Sequence, residues 1–381
     1  MGLIVVEPSQ FASSRLDTLR ANIIAALDTH GMEYSIKQDG HLLILDVDEP
    51  VDAMYALMDV FGIRGIGIAE TVDKELDSLV SAIVSAGKDV IHSNERFHVE
   101  VIGSANGLVA RDVEFAATAV LISELSMLNV KPSSRDYDRL IRVYISDENA
   151  YVCRLYRDGA DGLPVGSNGY ALCSVYDCVS AVAAYMLAKH GFYPSIVAIY
   201  TDEQRLRRVA RSIGIIARML PRKSIELRYT YYTPKSKDYT HGYKHDDTLT
   251  VVASLLLDRL AGVSDVGSNN SNSIALPLSS SLHSIDFINK VREMMNCRNI
   301  MFPLMFSSDL LNYSKIFGVE CVREMHAISR YTTGVVDDER VHGYVEECVS
   351  NMHTLEVSLN PNMVHDIIDG IRKGKDKCNS D

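Results

Sequence analysis

Asp158-Gly159-Ala160-Asp161-Gly162-Leu163-Pro164-Val165-Gly166 reads as a domain junction that runs directly into a strand and a helix. Working upstream, Leu3 to Val6 reads as a buried strand. Ser14 to His30 carries Leu16, Leu19, Ile23, Ile24 and Leu27 at helical spacing, His41 to Val47 predicts a second strand, and Val51 to Phe61 a second helix ended near Gly62. Leu76 to Gly87 then predicts helix, Phe97 to Ile102 strand, Leu108 to Leu128 a long apolar-striped helix, and Arg139 to Ile145 with Ala150 to Tyr156 a strand pair. Downstream, strands at Tyr170–Val175, Ser195–Tyr200, Ser224–Tyr232, Val263–Val266 and Ile300–Phe302 alternate with helices at Ser180–His190, Glu203–Met219, Thr248–Ala261, Ile285–Met295 and Ser308–Phe317. Such alternation predicts a doubly wound parallel sheet whose ligand crevice lies at the carboxyl ends of its strands. Asn362 to Arg372 reads as a closing helix, Lys373 to Asp381 as a mobile polar tail, and the Ser/Asn-rich run Ser264 to Ser281 as loop.

The stretch from Arg154 through the junction to Gly166 resembles the segment that ends the THUMP domain and opens the catalytic domain in the tRNA thiouridine synthetase (tRNA sulfurtransferase) family. Val182-Ala183-Ala184-Tyr185-Met186-Leu187-Ala188-Lys189-His190-Gly191 is similar to the helix that follows the pyrophosphatase loop (PP-loop) of that family. Val60-Phe61-Gly62-Ile63-Arg64-Gly65-Ile66 resembles its link between the N-terminal and THUMP domains, and Phe302-Pro303-Leu304-Met305-Phe306-Ser307-Ser308-Asp309 its late strand-to-helix element. The resemblance implies an α/β chain of three domains: a ferredoxin-like domain over 1–52, a THUMP domain over 53–160, and a Rossmann-like, doubly wound parallel-sheet domain of the PP-loop ATPase type over 166–381.

The family's chemistry depends on a loop S-G-G-x-D-S-P, whose glycines bring backbone N–H groups against nucleotide phosphates at a helix N-terminus. Here the loop before Val182 reads Val175-Tyr176-Asp177-Cys178-Val179-Ser180-Ala181. Ser180 survives; starting the alignment at Ser174 rescues a first serine but neither glycine. Ser174, Val175, Tyr176, Asp177 and Ser180 are therefore read as a vestigial nucleotide loop, crowded by side chains and carrying an added carboxylate. Ala198-Ile199 replaces a His-Phe pair at the end of the next strand, Asp246-Asp247 falls near the adenylate-facing arginine, Ser268 to Leu278 lacks the glycine and glutamine signature, and Met325-His326 lies near the sulfur-handling cysteine. These departures predict loss of ATP-dependent thiolation, with no catalytic residue and no cofactor expected. The alternative is a divergent but active sulfurtransferase making 4-thiouridine, with Ser180, Asp177 and Cys178 as its first suspects.

With 381 residues, 47% of them hydrophobic and 23% charged, the chain can bury two or three cores. The first apolar run, Gly2 to Val6, is short and lacks a basic leader, so a cytoplasmic protein without membrane contact is expected. The seven cysteines are scattered with no C-x-x-C pair, which argues against zinc ribbons and iron–sulfur sites and predicts buried reduced thiols. Cys173 and Cys178 flank the loop; a redox or nucleophilic role stands beside the more economical reading as packing residues. His241 and His245 share i, i+4 spacing, but Gly242 and the surrounding Tyr and Thr read as loop, and no metal is expected.

A net charge of −12 places any RNA contact on local patches. Arg111, Lys131, Arg135, Arg139, Arg142, Arg154 and Arg157 are the candidate RNA-binding residues, set against a solvated charged face with equal weight. Ile102 to Gly107 and Val6 to Phe11 lack the basic residues that the resemblance places there. A second stretch, Arg222 to Lys244, interleaves cations with Tyr229, Tyr231, Tyr232, Tyr239 and Tyr243, as an RNA-stacking surface or a strand packed by its tyrosines. The expected partners are tRNA or another structured RNA, a tRNA-modifying protein, and a second copy of the chain.

Overall fold

The computed structural model describes residues 2–105, 107–233, 247–263, 273–297, 299–305, 310–328 and 338–378. The chain forms two compact units, Met1–Pro164 and Val165–Asp381.

In the first unit β1 (Gly2–Pro8), α1 (Leu16–Thr29), β2 (Tyr34–Asp39), β3 (Leu42–Val47), α2 (Pro50–Met58), β4 (Ile63–Val72), α3 (Leu76–Val90), β5 (Arg96–Gly103), α4 (Ala110–Glu124), β6 (Lys131–Pro132), β7 (Arg139–Ile145) and β8 (Ala150–Asp158) follow in order. Their strands make one sheet, β2-β3-β1-β4-β8-β7-β5-β6. The segment read from sequence as a link is the start of β4, which joins the two halves by pairing antiparallel with β1 on one side and β8 on the other. Gly65 and Gly67 interrupt its apolar pattern for a physical reason: a Cβ there would fall onto the Tyr156 ring and the Cys153 sulfur of β8. The polar strand β2, also not anticipated, lies at the sheet's edge.

Period-two alternation sends Ile4 and Val6 toward α1 and α2, where Leu19, Ile23, Leu27, Met54 and Leu57 close a core. A second core sets α3 and α4, through Leu79, Ile83, Val113 and Leu121, on Phe97, Val99, Ile141 and Val143. Val5 turns to a third cluster with Ile44, Tyr144, Tyr151 and Cys153. One carboxylate ties the β2–β3 end to the β7–β8 turn: Asp39 accepts from Glu148 N–H (2.9 Å), Asn149 N–H (3.2 Å) and the Tyr151 hydroxyl (2.7 Å). Burial pushes its pKa up, but these hydrogen bonds outweigh that and hold it below the usual carboxylate value.

The junction folds back on β4. Gly62, at φ 97°, donates its N–H to the Asp161 carbonyl (3.0 Å), Asp161 N–H donates to Ile63 O (2.8 Å) and Gly159 N–H to Arg64 O (2.9 Å). The Ser9 hydroxyl closes the knot on the Gly162 carbonyl. The two segments quoted for the resemblance, 60–66 and 158–164, are thus hydrogen-bonded to each other.

The second unit comprises β9 (Tyr170–Val175), α5 (Cys178–Lys189), β10 (Tyr193–Tyr200), α6 (Glu203–Ala217), β11 (Ser224–Tyr231), α7 (Asp247–Val263), β12 (Ser273–Ala275), α8 (Ile285–Glu293), β13 (Asn299–Met301), α9 (Leu310–Ser314), α10 (Val319–Ile328), α11 (Asp338–Ser350), β14 (His353–Ser358) and α12 (Met363–Cys378). The sheet order is β13-β12-β9-β10-β11-β14. All neighbours are parallel except β14, which runs antiparallel to β11. The chain therefore reverses its winding between β9 and β12, the switch point at which doubly wound sheets open a crevice.

Two expectations change here. The strand anticipated at Val263–Val266 is helix at Val263 and otherwise outside the described residues; the strand of that region is Ser273–Ala275, inside the run read as loop, with Ile274 and Ala275 buried. The carboxyl-terminal segment adds a helix and an antiparallel edge strand ahead of the closing helix, and that helix, Met363–Cys378, takes in Lys373 to Cys378, read from sequence as polar tail. Among the described residues no helix is long and apolar enough to cross a membrane.

Candidate functional site

β9 delivers its last residues to the switch point, and the turn into α5 is where the chemistry of the second unit is decided. Tyr176 N–H and Asp177 N–H both donate to Ser180 Oγ, each at 2.9 Å. Ser180 returns its own N–H (2.8 Å) and hydroxyl (2.7 Å) to Asp177 Oδ1. This is a reciprocal capping box with Asp177 as the N-cap. The turn satisfies its own amides and places a carboxylate at the positive end of the helix. Tyr176 is 3% exposed, its ring lies in the core with Leu249, Val252 and Leu256 of α7, and its hydroxyl donates to Thr250 Oγ1 (3.1 Å). Ser174 and Val175 are buried in β9. Replacing Ser180 by alanine strips the acceptor from two amides at once, so it should destabilise the protein by about 2 kcal/mol, measured by urea unfolding.

Beside this turn lies a cavity of about 230 Å³ lined by the loop, α6 and the start of α10. Cys178 and Cys321 are joined there by a disulfide with Cα atoms 5.3 Å apart, which corrects the expectation of a reduced thiol at Cys178. Cys153, Cys173 and Cys348 remain buried thiols, pushed up to about 12 by burial. Burial, then the Asp177 carboxylate, pushes the Glu324 carboxyl of α10 up to about 7 against the pull of Arg208 and Arg205. A carboxyl whose folded pKa exceeds its unfolded value contributes stability below the unfolded value, here 4.5, that is lost as pH rises through about 7. Glu324→Gln should therefore gain about 1 kcal/mol over the parent at pH 8 and nothing at pH 4, read from denaturation at both pH values.

The arginines of the first unit divide into two groups. Arg139 holds Glu95 in a two-pronged pair (2.8 and 3.0 Å), and that hydrogen bonding, with the His92 N–H, keeps Glu95 at about 2. Arg154 bridges Glu70 (3.0 Å) and Asp89 (3.1 Å). Arg142 is 7% exposed, pairs with Glu100 (2.8 Å) and Glu7 (3.6 Å), and lies over the Tyr156 ring at 4.4 Å. Burial removes Arg142 from the RNA-binding set, and carboxylates already pair with Arg139 and Arg154. Arg111, Lys131, Arg135 and Arg157 are exposed, with no ion pair among the described residues.

No family model matches the chain. A probable tRNA sulfurtransferase of Streptococcus equi subsp. equi is 27% identical over 181 residues, 46% of this chain and 44% of that protein. One of Caldanaerobacter subterraneus subsp. tengcongensis is 26% identical over 221 residues, 57% of each. The crystal structure of a 4-thiouridine synthetase in complex with RNA and bound ATP matches with a TM-score of 0.63 at 15% identity, covering 93% of this chain and 99% of that one. The structure of PH1313 from Pyrococcus horikoshii matches with a TM-score of 0.56 at 20% identity, covering 84% of this chain and all of that one. The chain is related to the tRNA sulfurtransferases. It spans about half the length of the curated sulfurtransferases it matches, and its fold is that of the solved structures, a THUMP-bearing unit followed by a Rossmann-like one.

Against that sulfurtransferase framework, sequence reading located the loop but missed the residues that give it its present form. Cys321 and Glu324 lie far along the chain from Cys178, and Arg205 and Arg208 lie on α6, a helix whose sequence carries no motif that ties it to the loop. In the second basic stretch, Tyr229 and Tyr232 are buried and pack rather than present a surface, while the exposed Arg222 stacks on Tyr193 at 4.0 Å. Lys235, Lys237, Tyr239, His241, Tyr243, Lys244 and His245 lie outside the described residues, as do Asn106, Asp246 and Ser268 to Asn272.

Proposed function

We propose that this protein is a cytoplasmic, tRNA-directed RNA-binding relative of the tRNA sulfurtransferases that does not carry out ATP-dependent thiolation. The observation that carries the second half is the capping box at Asp177 and Ser180. Three amides that could have faced an anion are occupied by the loop's own oxygens, at 2.8 to 2.9 Å. A triphosphate would have to displace those bonds and approach the Asp177 carboxylate, losing the preorganised donors on which such sites depend. The RNA half is supported by the relationship itself and by the exposed cations Arg111, Lys131, Arg135 and Arg157. Arg139 and Arg154 contribute only by exchanging a carboxylate for a phosphate.

A THUMP-bearing unit without thiolation chemistry is suited to present RNA to a modifying protein, and a second copy of the chain could serve the same end. Titration of the full chain with labelled tRNA and with an unstructured RNA of equal length, at two salt concentrations, tests the RNA half. Selective, salt-sensitive tRNA binding supports it; equal or absent binding of the two RNAs contradicts it.

A further inference from the structure

The turn that caps α5 also carries a feature that RNA binding does not use. Cys178 opens α5, Cys321 lies in the first turn of α10, and their disulfide spans 143 residues of sequence at the wall of the 230 Å³ cavity. In the cytoplasm expected for this chain thiols are kept reduced, and a disulfide there is one that is turned over or sensed.

The two sulfurs are not equivalent. Cys178 is the first residue of the twelve-residue α5 and Cys321 the third of the ten-residue α10, so the amide dipoles favour a thiolate at both and more strongly at Cys178, which lies nearer the end of its helix. Arg205, Arg208 and Arg211 of α6 line the same cavity. Three carboxylates line it too. Asp177 is engaged by Ser180, burial and the Asp177 carboxylate push the Glu324 carboxyl up to about 7, and Glu320 is exposed. The cavity wall thus sets three guanidinium groups against three carboxyl groups, one of them partly protonated, beside the disulfide.

We propose that this cavity is a thiol–disulfide exchange site for a low-molecular-weight thiol bearing a carboxylate. The carboxylate meets Arg208 and Arg205, and the thiolate attacks Cys321 Sγ. A sulfur–sulfur bond forms to Cys321, the Cys178–Cys321 bond breaks, and its electron pair leaves on Cys178, which then takes a proton. A second thiolate attacks the sulfur of the bound thiol, releasing the symmetrical small disulfide and the Cys321 thiolate, which is protonated in turn. The protein gains two electrons and two protons; two small thiols are oxidised to one disulfide.

The oxidised full-length chain is mixed with 3-mercaptopropionate or with cysteamine, quenched by alkylation, and Cys178 and Cys321 are followed by mass spectrometry. Rates are taken per thiolate and relative to a small reference disulfide. The anionic thiol should react about tenfold faster than the cationic one, with the trapped adduct on Cys321, and Arg208→Gln should bring the ratio near one. Arg205→Gln serves the same purpose if Arg208→Gln does not fold. Equal rates for the two thiols, an adduct on Cys178, or a disulfide that resists both until the protein unfolds would overturn the proposal. Neither result bears on RNA binding, which is measured separately on the first unit's cations.

Discussion

Glu7→Ala should destabilise the first unit by about 3–5 kcal/mol, the loss typical of stranding a buried charge. Glu7 is 4% exposed and collects the Tyr144 hydroxyl at 2.8 Å, Arg64 at 3.3 Å and Arg142 at 3.6 Å. Without it, Arg142 keeps the half-buried Glu100 and the Tyr156 face but is deprived of the carboxylate on its buried side, and the Tyr144 hydroxyl is left without its acceptor. Glu7→Gln preserves an acceptor for Tyr144 while removing the charge, so its loss should fall at about 2–3 kcal/mol. Urea unfolding of the two variants separates the charge from the hydrogen bond. A loss below about 1 kcal/mol for the alanine variant would mean that water reaches Arg142, contrary to its burial.

Changing Arg111, Lys131, Arg135 and Arg157 together to alanine should weaken tRNA binding by about 100-fold near 0.1 M salt. It should also flatten the dependence of log affinity on log salt by about 3 units, close to one for each phosphate that is no longer neutralised. Arg139→Ala and Arg154→Ala should each change affinity by less than about threefold, because their guanidinium groups already neutralise Glu95, Glu70 and Asp89. A fluorescence titration over a salt series reads both quantities. An unchanged slope in the fourfold variant would locate the RNA elsewhere on the chain.

The parts of the fold that sequence reveals are those whose signal is local and long. α1, α4, α5 and α6 announce themselves through apolar spacing over many residues, and β9, β10 and β11 as apolar runs between them. β4 escaped because Gly65 and Gly67 erase its alternation to make room for Tyr156 and Cys153, a proximity that exists only after β8 has paired. β12 is three residues long and β14 is a mostly exposed edge strand, so neither carries a periodic signature. The same distinction runs through the sites. Asp177 and Ser180 stand three residues apart, close enough to be read as a cap, yet their position invited comparison with a nucleotide loop. Arg142 looks like any other basic residue until the sheet order β1-β4-β8-β7 brings Glu7 of β1 within its reach. The Cys178–Cys321 pairing depends on packing α10 against α5 and has no local trace.

The central claim is that the turn at Tyr176 to Ser180 is a helix cap and not a phosphate site. Calorimetric titration of the full chain with magnesium ATP tests it most directly. No saturable heat up to about 1 mM ATP is the predicted result, whereas stoichiometric binding with a Kd near 10 μM, about −7 kcal/mol, would contradict it.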